Sequence, residues 1–108
     1  MKDTYTHKGM RKRLVATLKA KGIASEAVLE AVNEVPRHLF MDSGFVDHAY
    51  VDKAFPIGAD QTISQPYTVA RQTELLTVSS GDTVLEIGTG SGYQCAILLA
   101  MGVQVYSI

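Results

Sequence analysis

Residues 83–93 read TVLEIGTGSGY, and this stretch decides the fold. Its first part, Thr83 to Ile87, is apolar or β-branched around one carboxylate, which is typical of a short, largely buried parallel strand. Glycines then occupy every second position, at Gly88, Gly90 and Gly92. A helix-like segment follows from about Ser91 to Met101. The sequence therefore predicts a strand, a glycine turn and a helix, an order that brings backbone N–H groups and a positive helix end beside a ligand.

A second strand is predicted after this helix. Gly102 precedes a strand-like segment in which Val103, Val105 and Ile108 are apolar. A β-α-β unit implies parallel strands and a right-handed crossover. Because two parallel strands do not make a stable open sheet alone, we expect the natural protein to be longer, or another chain to supply the missing strands.

The N-terminal part reads as a pair of helices. Residues 1 to about 7 are polar and are predicted to be frayed. Apolar residues at helical spacing from Met10 to Leu18, with Gly22 shortly after, predict the first helix. Ser25 is a candidate N-cap of the second helix, which Pro36 ends.

The middle of the chain is less regular. Residues 37–47 are predicted to be a packed connecting segment, and Tyr50 to Ile57 to hold short extended pieces interrupted by Pro56. Residues 58–65, GADQTISQ, are predicted to be a polar loop, and Pro66 suits the first turn of the next helix. The predicted inner face of that helix consists of Val69, Ala70, Thr73, Leu75 and Leu76.

Length and composition indicate one domain without a nucleic-acid or membrane partner. The chain has 108 residues and a net charge of −1, and no apolar run approaches the roughly 20 residues of a membrane span. Seven of the 10 basic residues lie within positions 1–21, which indicates either a solvated helix face or a contact for an acidic partner. Cys95 is the only cysteine, which fits a reducing compartment, and we predict a cytoplasmic location.

The polar loop before the third helix is the second informative site. Its hydroxyl and amide side chains could serve a ligand, or Ser64 or Gln65 could merely cap the helix. Similarly, the glycines after Ile87 could approach a ligand or only form a tight turn. Glu86, within an apolar strand, favours a ligand, because a buried carboxylate needs polar partners.

The pattern E-x-G-x-G-x-G at a strand end resembles the first motif of S-adenosylmethionine-dependent methyltransferases. Beyond this motif, the sequence resembles the protein-L-isoaspartate O-methyltransferase family in four segments: Val35–Phe40, Phe55–Gly58, Gln61–Tyr67 and Leu85–Gln94. The QTISQP loop is distinctive of this family. The resemblance extends from about Met10 to Ile108, and it implies an α/β Rossmann-like methyltransferase fold, represented by its N-terminal helices and first β-α-β unit.

The resemblance also implies roles for individual residues. The serine that matches Ser64 lies at the active site in this family, and we expect the Ser64 hydroxyl to bind the substrate carboxylate or the nearby backbone. The residues it assigns to the cofactor S-adenosyl-L-methionine are Gln61, Thr62, Ile63, Ser64, Glu86, Gly88, Thr89, Gly90 and Gly92. On this basis the chain divides into a helical part (1–47), an active-site loop and helix (48–81) and a cofactor-binding β-α-β unit (82–108).

The implied reaction is methyl transfer to the α-carboxylate of L-isoaspartyl residues in damaged peptides and proteins, which leads to their repair. Two alternatives are a non-catalytic remnant of such an enzyme and a dinucleotide-binding oxidoreductase fragment. The spacing G-x-G-x-G, rather than G-x-G-x-x-G, speaks against the oxidoreductase. We expect no metal site, because His7, His38 and His48 lack metal-ligand spacing and are predicted to lie at the surface or to cap helices.

Two departures from the family pattern affect the expected activity. Family members commonly have glycine where this chain has Asp60. They also continue beyond Ile108, and their next residue is an acidic group that binds the ribose hydroxyls. We therefore expect the 108-residue chain alone to be inactive and to self-associate through its exposed sheet.

Overall fold

A computed structural model describes residues 2–108 of the chain. The α-helices are α1 (Tyr5–Ala20), α2 (Glu26–Glu34), α3 (Pro66–Leu76) and α4 (Tyr93–Ala100). The strands are β1 (Phe55–Gly58), β2 (Gln61–Ile63), β3 (Thr83–Glu86) and β4 (Gln104–Ser107). Two short 3-10 helices, Arg37–Phe40 and Ser43–His48, connect α2 to β1. No helix within residues 2–108 is both long and apolar enough to cross a bilayer.

Helix α1 begins earlier than its apolar pattern predicts. The expectation that residues 1–7 are frayed is wrong for the described part, because Thr4 caps the helix reciprocally with His7. The Thr4 hydroxyl accepts a hydrogen bond from the His7 N–H at 3.3 Å, and the Thr4 N–H donates to His7 Nδ1 at 3.2 Å. The predicted N-cap of α2 is confirmed, since Ser25 Oγ accepts from the Val28 N–H at 3.3 Å.

A β-hairpin replaces most of the predicted polar loop. Strands β1 and β2 pair antiparallel, with Phe55 opposite Ile63. The turn between them consists of Ala59 and Asp60, which both have positive φ, at 50° and 57°. Pro56 does not interrupt the extended structure but lies within β1, where proline is tolerated because the hairpin has only two strands.

Strands β3 and β4 pair in parallel and flank α4, which confirms the predicted β-α-β unit. The prediction that β3 is largely buried is wrong. Leu85 is 61% exposed and Ile87, just after the strand, is 79% exposed. Alternate residues of a strand point to opposite faces, and the half-buried Val84 is on the face opposite that of Leu85. One face of this two-stranded sheet is therefore bare.

The core forms between the helices and the hairpin. Its buried members are Leu14, Leu18, Ile23, Val28, Leu29, Ala31, Val32, Val35, Ala49, Tyr50, Ile63, Val69, Ala70, Tyr93 and Ile97. On α3, Val69, Ala70 and Thr73 are buried as predicted, whereas Leu75 and Leu76 are exposed. Helix α3 therefore presents a narrower apolar face to the core than its sequence suggested.

Candidate active site

A cavity of about 300 Å³ lies between the start of α3 and the turn that follows β3. We call the residues of its first wall, within 62–72, the loop side, and those of its second wall, within 86–94, the turn side. The lining residues are Thr62, Ser64, Val69, Gln72, Glu86, Ile87, Gly88, Thr89, Gly90, Ser91, Tyr93 and Gln94. The two motifs that carried the sequence resemblance thus meet in one place.

The turn side presents backbone groups to the cavity. Gly88 and Gly90 have φ of +79° and +57°, and a Cβ added to either would meet no atom within 4 Å. Within residues 2–108, the N–H groups of Thr89, Gly90 and Ser91 donate to no protein acceptor. Unpaired N–H groups in open space beside a helix start are suited to polar groups of a ligand.

The acidic residue of the motif stands at the end of β3. Glu86 is half-buried, and its Oε1 accepts a hydrogen bond from Ser107 Oγ of β4 at 2.9 Å. The bond leaves Oε2 without a protein partner among the described residues. The carboxylate therefore faces the cavity with capacity to accept further hydrogen bonds.

Ser64 lies on the loop side and is exposed. The alternative that Ser64 or Gln65 only caps α3 is wrong, because the cap residue is Gln65 and it makes no side-chain cap hydrogen bond. Instead, the Tyr67 N–H in the first turn donates to Asp52 Oδ1 at 2.8 Å. The Ser64 hydroxyl, which forms no cap bond with the described residues, is therefore available to a ligand in the cavity.

Asp52 lies outside the cavity and stabilises the loop side through the first turn of α3. Burial by itself raises the pKa of Asp52, but hydrogen bonds from the Lys21 ammonium and the Tyr67 N–H outweigh it, and the pKa falls below its ordinary value. The carboxylate is therefore ionised at neutral pH and pairs the end of α1 with the start of α3.

Three of the predicted cofactor residues do not line the cavity. Ile63 is fully buried in the core, and Gln61 is an exposed residue of the hairpin. Gly92 precedes α4 with φ of +86°, and a Cβ there would lie 3.7 Å from the Phe40 ring. The other six, which do line it, are Thr62, Ser64, Glu86, Gly88, Thr89 and Gly90.

Sequence reasoning assigned no role to several lining residues. Gln72 is one helical turn from Val69, and this spacing was a usable signal that a polar side chain shares the inner face of α3. Gln94 donates through Nε2 to the buried Thr73 hydroxyl, which connects α4 to α3. Burial raises the pKa of Tyr93 to about 12, so its phenol is neutral in the physiological range.

A second polar cluster lies near the N-terminus. His38 is buried, against the prediction of a surface position, and its ring stacks on His7 at 3.7 Å. Its Nε2–H donates to the Lys2 carbonyl at 3.1 Å, so Nδ1 accepts from the Tyr50 hydroxyl at 2.7 Å. Burial also lowers the pKa of His38, which favours this neutral form.

The same cluster brings ligand atoms of Asp3, His7 and His38 within 4.8 Å of one another. However, both Asp3 oxygens accept hydrogen bonds from Arg11, at 2.7 and 2.8 Å. Both ring nitrogens of His38 are also engaged, with Tyr50 and Lys2. The arrangement is a hydrogen-bond network that attaches the N-terminal segment to the core, and the contacts of Asp3 and His38 favour this role over a metal site.

Comparison with known protein families identifies the family of this chain. The model of the protein-L-isoaspartate(D-aspartate) O-methyltransferase family matches residues 9–108. The chain belongs to this family. Membership agrees with the resemblance found in the QTISQP loop and the glycine motif, and it disfavours the dinucleotide-binding oxidoreductase.

Curated members of the protein-L-isoaspartate O-methyltransferase family match the whole chain. A relative from Christiangramia forsetii is 67% identical over 108 residues, which are 100% of this chain and 51% of that protein. A relative from Cytophaga hutchinsonii is 63% identical over 108 residues, covering 49% of its length. The chain thus spans about half the length of the curated relatives it matches.

Solved structures of this family confirm the fold class. One protein-L-isoaspartate O-methyltransferase superimposes with a TM-score of 0.80 and 31% identity, over 90% of this chain and 33% of that one. A Plasmodium falciparum structure in complex with S-adenosyl-L-homocysteine gives a TM-score of 0.72 at 24% identity, over 94% of this chain and 47% of that one. The helices, hairpin and β-α-β unit are therefore the N-terminal portion of a Rossmann-like methyltransferase fold.

Proposed function

We propose that this chain forms the cofactor- and substrate-binding part of an enzyme that methylates the α-carboxylate of L-isoaspartyl residues. The observation that carries the proposal is that one cavity brings Ser64 of the QTISQP loop together with the turn of the EIGTGSG motif. In a member of the protein-L-isoaspartate O-methyltransferase family, these two elements support a methyl acceptor site next to a methyl donor site.

The residues of the turn side fit the proposed cofactor S-adenosyl-L-methionine. The unpaired N–H groups of Thr89 and Gly90 would bind its polar groups, and the Glu86 carboxylate would accept hydrogen bonds from its donors. A volume of about 300 Å³ is within the range of small-molecule sites. Gln61, Ile63 and Gly92 would act indirectly, by holding the hairpin and the start of α4 in place.

The proposed chemistry needs alignment more than acid–base help. A substrate carboxylate with a pKa near about 4 is already ionised at neutral pH. The bound cofactor supplies an activated methyl group on a sulfonium. The Ser64 hydroxyl would donate a hydrogen bond to the substrate carboxylate and orient one of its oxygens toward the methyl donor. The neighbouring backbone nitrogen then attacks the methyl ester and expels methanol, which closes a succinimide, and addition of water opens this ring partly to normal aspartate.

A chimera tests this proposal directly. Residues 1–108 are joined to the C-terminal half of the Christiangramia forsetii relative, so that every residue of the cavity comes from this chain. We expect methyl transfer from labelled S-adenosyl-L-methionine to an isoaspartyl peptide and none to its aspartyl isomer. Equal labelling of the two isomers would show that the substrate is wrongly assigned.

Replacement of Ser64 separates substrate alignment from cofactor binding. In the chimera, Ser64→Ala should lower kcat for methyl transfer about tenfold or more, since a hydrogen bond to a charged group contributes about 1.5–3 kcal/mol. Affinity for S-adenosyl-L-homocysteine, measured by calorimetry, should change less than threefold. Ser43→Ala, at an exposed serine of a 3-10 helix, is the matched control and should change neither quantity. A parallel fall in cofactor affinity with unchanged kcat would make Ser64 a cofactor contact.

The proposed partners are isoaspartyl-containing peptides and proteins. The proposed location is the cytoplasm, because a single cysteine fits a reducing compartment.

We propose in addition that the isolated 108-residue chain self-associates through the bare face of the β3–β4 sheet. The support for this proposal is the exposure of Leu85 and Tyr106, which pair side by side in the sheet.

A further inference from the structure

Arg37 is a fully buried cation that forms no ion pair with an acidic side chain of residues 2–108. Its Nε donates to the Ala49 carbonyl at 2.9 Å, and one of its terminal nitrogens donates to the Lys53 carbonyl at 3.2 Å. Its other terminal nitrogen, Nη1, is buried and makes no hydrogen bond to the described residues.

The guanidinium also lies against Tyr93 of the turn side. The central carbon of the Arg37 guanidinium is 4.8 Å from the Tyr93 ring centroid, which is a cation–π distance. The Tyr93 ring in turn meets Phe40 edge-on, with centroids 5.9 Å apart. Because Tyr93 lines the cavity and begins α4, its ring sets where the turn side lies.

The other contacts of Arg37 lead to the loop side. The two carbonyls it binds bracket Asp52, whose carboxylate holds the first turn of α3 through the Tyr67 N–H. A single planar side chain therefore connects the segment that positions the loop side with the ring that positions the turn side.

Burying a charged side chain costs more free energy than burying an apolar one, so packing alone does not account for an arginine at this position. Replacing buried ionic groups by apolar residues of similar volume is often neutral or stabilising, so the charge indicates a need for fixed geometry. Only arginine has a rigid planar fork that can bind two carbonyls and stack on a ring at once. Lysine could keep the charge and one of the carbonyl bonds.

We propose that Arg37 is a positioning residue that fixes the separation of the two sides of the cavity. It acts through the segment 49–53 on the loop side and through Tyr93 on the turn side, and it does not itself line the cavity. The inference rests on the proposed function only for the identity of the ligand.

Hydrogen exchange on the 108-residue chain tests this role. The reporters are hydrogen-bonded amides of the two segments that Arg37 contacts or that adjoin Tyr93: Ala49 and Val51 behind the loop side, and Gly92 and Ala96 next to the turn side. In Arg37→Met, all four should exchange at least tenfold faster, and Arg37→Lys should restore part of the protection on both sides. Faster exchange at Ala49 and Val51 alone would overturn the proposal, because the two sides would then be independent.

A control variant separates positioning from loss of stability. Leu29 is buried in the core and borders the groove between α1 and α2, away from the cavity. Leu29→Ala should speed exchange mainly in α1 and α2. The exchange rate of the reporter amides, divided by that of amides in α1 and α2, should therefore be lower in Leu29→Ala than in Arg37→Met. The same ratio in both variants would mean that Arg37 only stabilises the fold.

Ligand binding gives a second readout. In a titration with S-adenosyl-L-homocysteine, the dissociation constant of Arg37→Met should be at least ten times that of Leu29→Ala. The dissociation constant of Arg37→Lys should lie between these two values. Equal affinities in the three variants would overturn the positioning role. If the unsubstituted chain and the chimera both fail to bind this probe, the proposed function fails, and the exchange experiment still decides the role of Arg37.

Discussion

Replacing Gly90 by valine should reduce cofactor affinity more than a hundredfold. Gly90 has φ of +57°, a region that β-branched residues rarely adopt, and its Cβ position opens into space beside the unpaired N–H groups of the turn. A valine would therefore both strain the turn and occupy room where the backbone would approach the ligand. A hundredfold loss corresponds to about 2.7 kcal/mol of binding free energy.

Calorimetry with S-adenosyl-L-homocysteine on the chimera measures this effect. Gly22→Val is the matched control, since Gly22 has φ of +103° and equally open surroundings but follows α1, far along the chain from the cavity. In thermal unfolding, the control should lose about as much stability as Gly90→Val. Its affinity for S-adenosyl-L-homocysteine should be unchanged. If Gly90→Val binds the probe as tightly as the control, the glycines serve only to form a turn.

The isolated 108-residue chain should form assemblies whose mass increases with concentration. Leu85 and Tyr106 are 61% and 63% exposed and lie side by side on adjacent strands. Each edge of the two-stranded sheet also leaves backbone groups unpaired, and such edges readily add a strand from another chain. Burying an apolar pair of this size should be worth a few kcal/mol, at about 25 cal/mol per Å².

Light scattering across a concentration series measures the association, and substitutions on the bare face locate it. Leu85→Lys combined with Tyr106→Glu should return the chain to a monomer, while the opposite charges remain compatible as neighbours in the sheet. Leu75→Lys is the control, because Leu75 is 62% exposed but lies on α3. A dilution-resistant monomer for the unsubstituted chain, with methyl transfer equal to that of the chimera, would contradict both the association and the expected inactivity.

The sequence predicted the β-α-β unit well because its information is local. A strand followed by alternating glycines and an apolar helix can be read from consecutive residues, and Gly88 and Gly90 indeed adopt positive φ. Strand β2 was not predicted, because its local sequence carries too little information. Its three residues are too few to show alternation, and the turn before it places Ala59 and Asp60, not glycine, at positive φ.

Burial was harder to predict because it depends on distant parts of the chain. The composition of β3 indicates that the strand tolerates burial, but only one face of the β3–β4 sheet is packed, and Leu85 on the other face is exposed. In contrast, His38 and Arg37 look like surface residues in the sequence. They are buried because Tyr50 and the carbonyls of Ala49 and Lys53 supply hydrogen-bond partners, which no local pattern reveals.

The position of the cavity along the chain bears on how it assembles. All its lining residues lie between Thr62 and Gln94, and only the segment from Gln72 to Glu86 separates its two sides. The length-dependent entropy of closing a loop of about 14 residues is about 2 kcal/mol, little more than for a much shorter one. The two sides therefore meet within one continuous segment of the chain, residues 62–94, with α1 and α2 packed behind it. A binding site built this way closes a single loop of moderate length, and we expect the entropy of bringing its two sides together to be a small part of the cost of folding.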